Sequence, residues 1–220
     1  MCRIVRFGPT DELAHPDAVV EEWLFVAWTT VGDIGLVSGH RIVVRTAWYW
    51  SAFVREGRPL LHLTEWSAGL RSDPFVVKAP ELWAEHHCDE PMRQWSIGNE
   101  AYFAELDDPA EAIGRGYGVP RPTAFDVEWY ATEAPVATAD GYEQPGVVHG
   151  AIEVQGRPKL ELIDIPAHRW HRWSTTGDLA TIDLPPADGD GGPGAPFAFP
   201  DGTMADWVVT PRGWRSRAPR

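Results

Sequence analysis

The sequence predicts an all-β protein, because short runs that mix aromatic and polar residues recur along its 220 residues with turn residues between them. The chain holds 12 tryptophans, and most of them lie in such runs. Aromatic and β-branched side chains suit the pleated, half-buried surface of a sheet. Many short strands, regular turns and a single helical stretch together favour an antiparallel barrel or sandwich.

The first half of the chain alternates between strand-like runs and turn residues. Residues 1–20 read as a polar lead-in, and turns are expected at Gly32-Asp33, at Ser38-Gly39 and around Gly57. Strands are expected over residues 22–29, 41–54, 60–66, 81–89 and 94–106. The last two of these meet at a turn of glutamate and proline, so the pattern predicts consecutive hairpins.

The second half adds one helical stretch and further strands. Residues 108–113 should form a short helix, because an acidic cap precedes Pro109 and Gly114 can end it. Strands are expected over residues 124–131, 147–154, 159–163 and 206–210. Residues 185–202 are rich in proline, glycine and aspartate and predict an irregular connection. We expect residues 1–220 to form a single domain.

Composition narrows the classes of partner. The formal net charge of -13 would repel a polyanionic backbone, so nucleic-acid binding is not expected. We expect no stable membrane insertion, because no apolar run approaches the roughly 18 residues that a membrane-spanning helix needs. Two cysteines, Cys2 and Cys88, make no disulfide framework, and with no signal peptide they predict a cytoplasmic location. The sequence is compatible with a homo-oligomer.

The aromatic residues predict a pocket for a bulky, hydrophobic small molecule. The rings expected to line it are Trp48 or Trp50, Trp83, Trp95, Tyr102 and Trp129. Because strand side chains alternate, Trp48 and Trp50 must point together and Tyr49 to the opposite side. Trp95 and Tyr102 have opposite parity, so both can point inward only if a bulge lies between them, for example at Gly98.

Two segments resemble those of a known group of proteins. Tyr142 to Gly150 reads YEQPGVVHG, and Arg169 to Ser174 reads RWHRWS. These runs resemble the G-Y-x-Q-x-G-x-x-x-G and R-D-H-S-W-G motifs of the carotenoid hydratase and AttH-like superfamily. The resemblance implies an antiparallel, lipocalin-like β-barrel, here with one short helix, and activity on isoprenoid or polyene substrates.

The second segment differs from that motif at the acidic position, which Trp170 occupies. If that acid serves protonation in the relatives, this chain must find a proton donor elsewhere. Arg169, His171 and Trp173 share one parity and are expected to stabilise the barrel by tying a strand end to its neighbours.

Hydration, isomerisation or cyclisation of an alkene needs a proton donor in a dry pocket, where desolvation raises the pKa of a carboxyl group. Glu85 is the first candidate, because it shares a strand face with Trp83 and His87. Glu100, Asp126 and His149 are the alternatives. Plain strand alternation, with the carboxylates facing solvent, explains the same spacing.

No cofactor is expected, because phosphate-binding and dinucleotide-binding motifs are missing from the sequence. No metal site is expected either, since the adjacent His86 and His87 face opposite sides of a strand. The leading hypothesis is therefore a cofactor-independent hydratase-, isomerase- or cyclase-like enzyme that acts on a hydrophobic small molecule. A non-catalytic carrier or sensor is the alternative, and a barrel with a filled core is the third.

Overall fold

The computed structural model describes residues 7–113, 118–179, 182, 184–188 and 192–217. These ranges contain short 3₁₀ turns at Pro9–Glu12 and Pro109–Ile113, and the rest of the regular structure is β-strand. The strands are β1 (Val20–Trp28), β2 (Ile34–Val43), β3 (Thr46–Arg55), β4 (Leu60–Gly69), β5 (Val76–Ala79), β6 (Leu82–Glu90), β7 (Gln94–Leu106), β8 (Val119–Ala131), β9 (Val136–Ala137), β10 (Gly141–Val154), β11 (Leu160–Ser174), β12 (Gly194–Ala198), β13 (Met204–Thr210) and β14 (Gly213–Ser216).

The larger sheet closes on itself as an antiparallel ring. Its strand order is β4-β3-β2-β1-β11-β10-β8-β7, and β4 pairs with β7 through Leu60 opposite Leu106. Strands β6 and β5 continue from β7, and the two-residue β9 pairs with β10. Closure gives each strand of the ring two neighbours and so reduces the exposed edges of an open sheet, while β5 remains an edge strand. The predicted all-β, barrel-like fold is confirmed.

A second, three-stranded sheet covers the outside of the barrel. Its order is β12-β13-β14, and its tryptophans Trp207 and Trp214 join a buried cluster with Leu24 and Val26 of β1 and Trp50 of β3. The last strand predicted from the sequence, residues 206–210, belongs to β13, which is the middle strand of this sheet and pairs with both β12 and β14. The barrel wall formed by β1, β2 and β3 therefore has an apolar layer on each side.

Burial on both faces explains the almost unbroken apolar runs of these three strands. In β3, Tyr49 and Phe53 belong to the cluster inside the barrel, whereas Trp50 and Val54 belong to the cluster under the second sheet. Strands that are covered on both faces lose the alternation of apolar and polar residues. As a result, the residue pattern of these strands no longer indicates which side faces the barrel interior.

The turn predicted at Ser38-Gly39 is wrong, because both residues lie within β2. Gly39 is needed there for space: a Cβ at this position would lie 2.0 Å from the Trp50 ring on the neighbouring strand. The chain turns instead at Val44, whose φ is 58°, so the strand predicted over residues 41–54 is divided between β2 and β3.

Two further predictions are adjusted by the structure. The expected helix is a 3₁₀ turn over Pro109–Ile113, and its expected end, Gly114, lies outside the described residues. The expected irregular connection over residues 185–202 contains strand β12. Pro196 is tolerated because β12 lies at the edge of its sheet. Among the described residues, no helix is long and apolar enough to cross a membrane.

Candidate functional site

The predicted aromatic residues fall on two sides of the barrel wall. Trp95 and Trp129 lie inside the barrel, where both are fully buried. Trp48 and Trp50 point outward and Tyr49 takes the inward position, so the expectation that this pair lines the barrel interior is corrected.

Trp83 and Tyr102 also point outward. Trp83 packs over Gly98, and Tyr102 is half exposed on the outer side of β7. The pairing of β6 with β7 runs without interruption past Gly98, so the bulge that would turn Tyr102 inward is not there.

The predicted proton donors lie on the outer surface. Glu85, Glu100 and Asp126 border a shallow depression of about 730 Å³, together with Trp83. On β6 the inward positions belong to Leu82, Ala84 and His86, and Glu85 takes the opposite parity. The dry surroundings that the proton-donor hypothesis requires are therefore missing at Glu85.

His149 lies apart from these carboxylates. Its Nε2 is 3.0 Å from Oδ1 of Asp164, and both side chains are substantially exposed. This is a contact on the outer surface, away from the barrel interior.

Inside the barrel, a polar network that the sequence reasoning missed joins residues of the four strands β2, β3, β6 and β7. The Oγ of Ser38 lies 2.8 Å from His86 Nε2 and 3.0 Å from the Tyr49 hydroxyl, which also accepts a hydrogen bond from Asn99 Nδ2 at 3.1 Å. His40 lies beside His86, with 6.0 Å between the ring centroids. We call these five residues the interior network.

The interior network is uncharged at neutral pH. Burial lowers the pKa of His40 to about 4, and burial together with the neighbouring His40 lowers the pKa of His86 well below its usual value. Burial also raises the pKa of Tyr49 to about 12.

Ser38 and His86 form a nucleophile-and-base pair by distance, but His86 Nδ1 has no partner among the described residues. A catalytic histidine is held by such a third group. We therefore assign the network a structural role.

One end of the barrel is closed by the N-terminal 3₁₀ turn. Glu12 is fully buried, and it accepts hydrogen bonds from Arg169 to both carboxylate oxygens, at 2.7 and 2.8 Å. The Met92 backbone N–H and the Tyr142 hydroxyl donate to the same carboxylate. Burial alone would raise the pKa of Glu12, but the Arg169 guanidinium and the other donors hold it below its usual value.

A second group of polar side chains lies beside this ion pair. His171 Nε2 and His15 Nδ1 approach the same oxygen of Glu21, at 2.8 and 2.6 Å. His15 stacks on Trp173, with 4.0 Å between the ring centroids. Arg169, His171 and Trp173 thus contact β1, β10 and the N-terminal segment, in keeping with the stabilising role expected for them.

The described cavity that best combines apolar and charged groups lies between the barrel wall and the second sheet, with a volume of about 590 Å³. We call it the interlayer pocket. Its lining includes Glu22, Arg41, Trp50, Ile113, Arg172, Leu179, Ile182, Phe199, Asp201, Met204 and Trp207. Trp50 was predicted to contact a ligand, and it does line a pocket, although on the other side of the wall from the one expected.

Charged side chains form the floor of the interlayer pocket. Glu22 is nearly inaccessible and binds Arg41 through one carboxylate oxygen and Arg172 through the other. Burial would raise the pKa of Glu22, but the charges of Arg172 and Arg41 outweigh it and hold the carboxyl ionised. Arg41 also binds Asp201 at 2.8 Å, where the Asp201 side chain is 39% exposed.

Aromatic rings surround the Arg41 guanidinium. Its central carbon lies 5.3, 5.7 and 5.0 Å from the ring centroids of Trp48, Trp50 and Phe199. These distances are within the range of cation–π interactions, which fix the guanidinium in place.

Comparison of the chain with models of known protein families, with curated proteins and with solved structures finds no match. The resemblance to the carotenoid hydratase and AttH-like superfamily, and the activity that it implies, therefore remain predictions.

Proposed function

We propose that this protein binds a hydrophobic, isoprenoid- or polyene-like small molecule with a terminal carboxylate in the interlayer pocket. The observation that carries the proposal is the combination of apolar walls with a buried guanidinium floor. The volume of about 590 Å³ lies within the range of small-molecule sites.

The walls suit the apolar body of such a ligand. Trp50 and Trp207 form the inner side, and Phe199 lies beside the floor. Met204, which is 57% exposed, and Ile113 stand at the rim. Covering these rim side chains would remove apolar surface from water, which favours binding by roughly 25 cal/mol per Å².

The floor suits a carboxylate. Arg41 and Arg172 share the carboxylate of Glu22, and each has a second carboxylate partner: Asp140 lies 3.7 Å from Arg172, and Asp201 lies 2.8 Å from Arg41. Asp201, from the connection between β12 and β13, is the more exposed of these two and stands at the mouth of the pocket. A ligand carboxylate that replaced Asp201 on Arg41 would form the charge-assisted hydrogen bonds that arginine favours.

Binding without chemistry is the better-supported alternative. Alkene hydration or isomerisation needs a carboxyl group that is protonated at neutral pH. The pKa of Glu22 is lowered, as described above. That of Asp201 is lowered as well, because hydrogen bonds from Thr203 and the charge of Arg41 outweigh its partial burial. Both carboxyl groups can hold charge but are poor proton donors, which favours a carrier or sensor over a hydratase.

Titration with all-trans-retinoic acid and with its methyl ester tests the proposal, with tryptophan fluorescence as the signal. The acid should bind about 10- to 100-fold more tightly than the ester, because a hydrogen bond to a charged group contributes about 1.5–3 kcal/mol. Equal affinities would contradict the role of Arg41.

A pair of surface variants locates the binding site. Met204→Glu puts a charge on the pocket rim at an exposed position, so it should weaken binding while leaving the melting temperature nearly unchanged. Ile163→Glu is the matched control, because Ile163 is 69% exposed and does not line the pocket. Equal affinity of both variants for retinoic acid would place the ligand elsewhere.

A further inference from the structure

The cluster formed by His15, Glu21 and His171 lies at the barrel end, apart from the interlayer pocket. Both imidazoles direct a nitrogen at Oε1 of Glu21, and the three ligand atoms lie within 4.8 Å of one another. Glu21 Oε2 accepts the His15 backbone N–H at 2.8 Å, which fixes the orientation of the carboxylate.

The surroundings of His171 offer an acceptor for a hydrogen on Nδ1. Tyr142 donates its only hydroxyl proton to Glu12 at 2.8 Å, and the same hydroxyl oxygen lies 3.3 Å from His171 Nδ1. In the neutral imidazole with its hydrogen on Nδ1, the lone pair of Nε2 is available to a metal ion.

His171 Nε2 lies 2.8 Å from Glu21 Oε1, and His15 Nδ1 approaches the same oxygen at 2.6 Å. Two imidazole nitrogens therefore converge on one carboxylate oxygen, with all three atoms within 4.8 Å of one another. Hydrogen bonds hold these atoms together in the ion-free protein, and a cation can take the place of the hydrogens.

We propose that His15 Nδ1, Glu21 Oε1 and His171 Nε2 bind a divalent transition-metal ion of the Zn²⁺ class. Two imidazoles and one carboxylate are the ligand set of many such sites, and a fourth position stays open. Metal–ligand distances of about 2.0–2.2 Å separate tetrahedral ligands by about 3.3 Å. The two imidazole nitrogens, which now lie 2.6 and 2.8 Å from Glu21 Oε1, would need to move away from it by about 0.5–0.7 Å, a shift that small torsional adjustments within the existing packing provide.

The surroundings fit this proposal. The interaction of His171 Nδ1 with Tyr142, and of Tyr142 with Glu12, is the kind of outer-shell contact that orients a metal-binding histidine. The His15 side chain is 23% exposed, which gives an ion and a solvent ligand access from outside. The rings of Trp23 and Trp173 pack on the two histidines and limit their rotation.

Zinc binding to the untagged, full-length protein tests the proposal. After incubation with Zn²⁺ and gel filtration at neutral pH, we expect one zinc per chain by elemental analysis and a higher melting temperature. Titration with Co²⁺ should give visible ligand-field absorption with imidazole character, and this measurement needs no variant. Substoichiometric zinc together with no cobalt spectrum would overturn the proposal.

His15→Ala identifies the ligands, because His15 lies outside the barrel strands and its loss should leave the circular dichroism spectrum unchanged. The variant should bind zinc more than about 100-fold more weakly, a larger effect than the loss of an outer-shell partner. His149→Ala is the matched control, since His149 also contacts a carboxylate but lies on the outer surface. Undiminished binding by His15→Ala, or an equal loss in both variants, would refute the assignment.

Discussion

His40 is a buried polar residue whose two ring nitrogens have no hydrogen-bond partner among the described residues. It packs between Trp23 and His86, and burial keeps it neutral. Its effect on stability should therefore depend on pH. In the unfolded chain this imidazole takes up a proton below about pH 6.5, and in the folded protein only below about pH 4.

Between these two values the unfolded state binds the extra proton, so stability falls as the pH falls. His40→Leu should reduce that loss by about 3 kcal/mol between pH 7 and pH 4, because the shift in pKa from 6.5 to about 4 disappears. Urea denaturation of both proteins at the two pH values measures the difference. The same pH dependence in both would contradict burial of a neutral His40.

Glu12 is the residue through which the N-terminal segment stabilises the barrel. Glu12→Gln leaves the buried Arg169 without its counter-charge, so it should lower the free energy of unfolding by about 3–5 kcal/mol. Glu90→Gln is the control, because the ion pair of Glu90 with Arg93 is exposed and its loss should cost less than about 1 kcal/mol. Denaturation curves that shift equally for both variants would contradict this role.

At the scale of single elements, strand β3 shows both the reach and the limit of the sequence patterns. Alternation correctly separates Tyr49 from Trp48 and Trp50. It does not tell which side is the barrel interior, because the second sheet buries the outer face as well. In β7, by contrast, one face is polar, and the bounds expected for this strand, residues 94–106, agree with the structure.

The candidate site was harder to predict than the strands. Arg41 lies in the interlayer pocket together with Arg172 and Asp201. Because it precedes both of them by more than 100 residues in the sequence, no local spacing indicates that they meet. Glu12 lies in a stretch that looked like a polar lead-in. In the sequence, Pro9 followed by the acidic pair Asp11 and Glu12 looks like an ordinary surface turn, so nothing there indicates that Glu12 is buried.

Packing of β2 against β3 supplies a prediction at this scale. Gly39→Ala would place a Cβ 2.0 Å from the Trp50 ring, so the ring must move, and overpacking of this kind costs about 1–3 kcal/mol. Because Trp50 lines the interlayer pocket, retinoic acid binding should weaken as well. Gly69→Ala is the control, since a Cβ there meets no atom within 4 Å. Thermal denaturation and fluorescence titration of both variants measure the two effects.

For the whole molecule, the central claim is that the ligand site lies between the barrel and its second sheet and that the barrel interior serves stability. The interior contains Trp95 and Trp129 around the interior network and is closed at one end by Glu12. The interlayer pocket opens to solvent beside Met204. A ligand should therefore perturb the second sheet and leave the barrel end unchanged.

Methyl NMR of the protein with ¹³C-labelled methionine tests this claim most directly. The chain has 3 methionines, of which Met204 lies at the pocket rim and Met92 lies beside Arg169 at the barrel end. Met204→Leu and Met92→Leu assign the resonances. On addition of all-trans-retinoic acid, the Met204 methyl resonance should shift in a saturable way while the Met92 resonance stays in place. A shift of Met92 with Met204 unmoved, or no shift of either, would contradict the account.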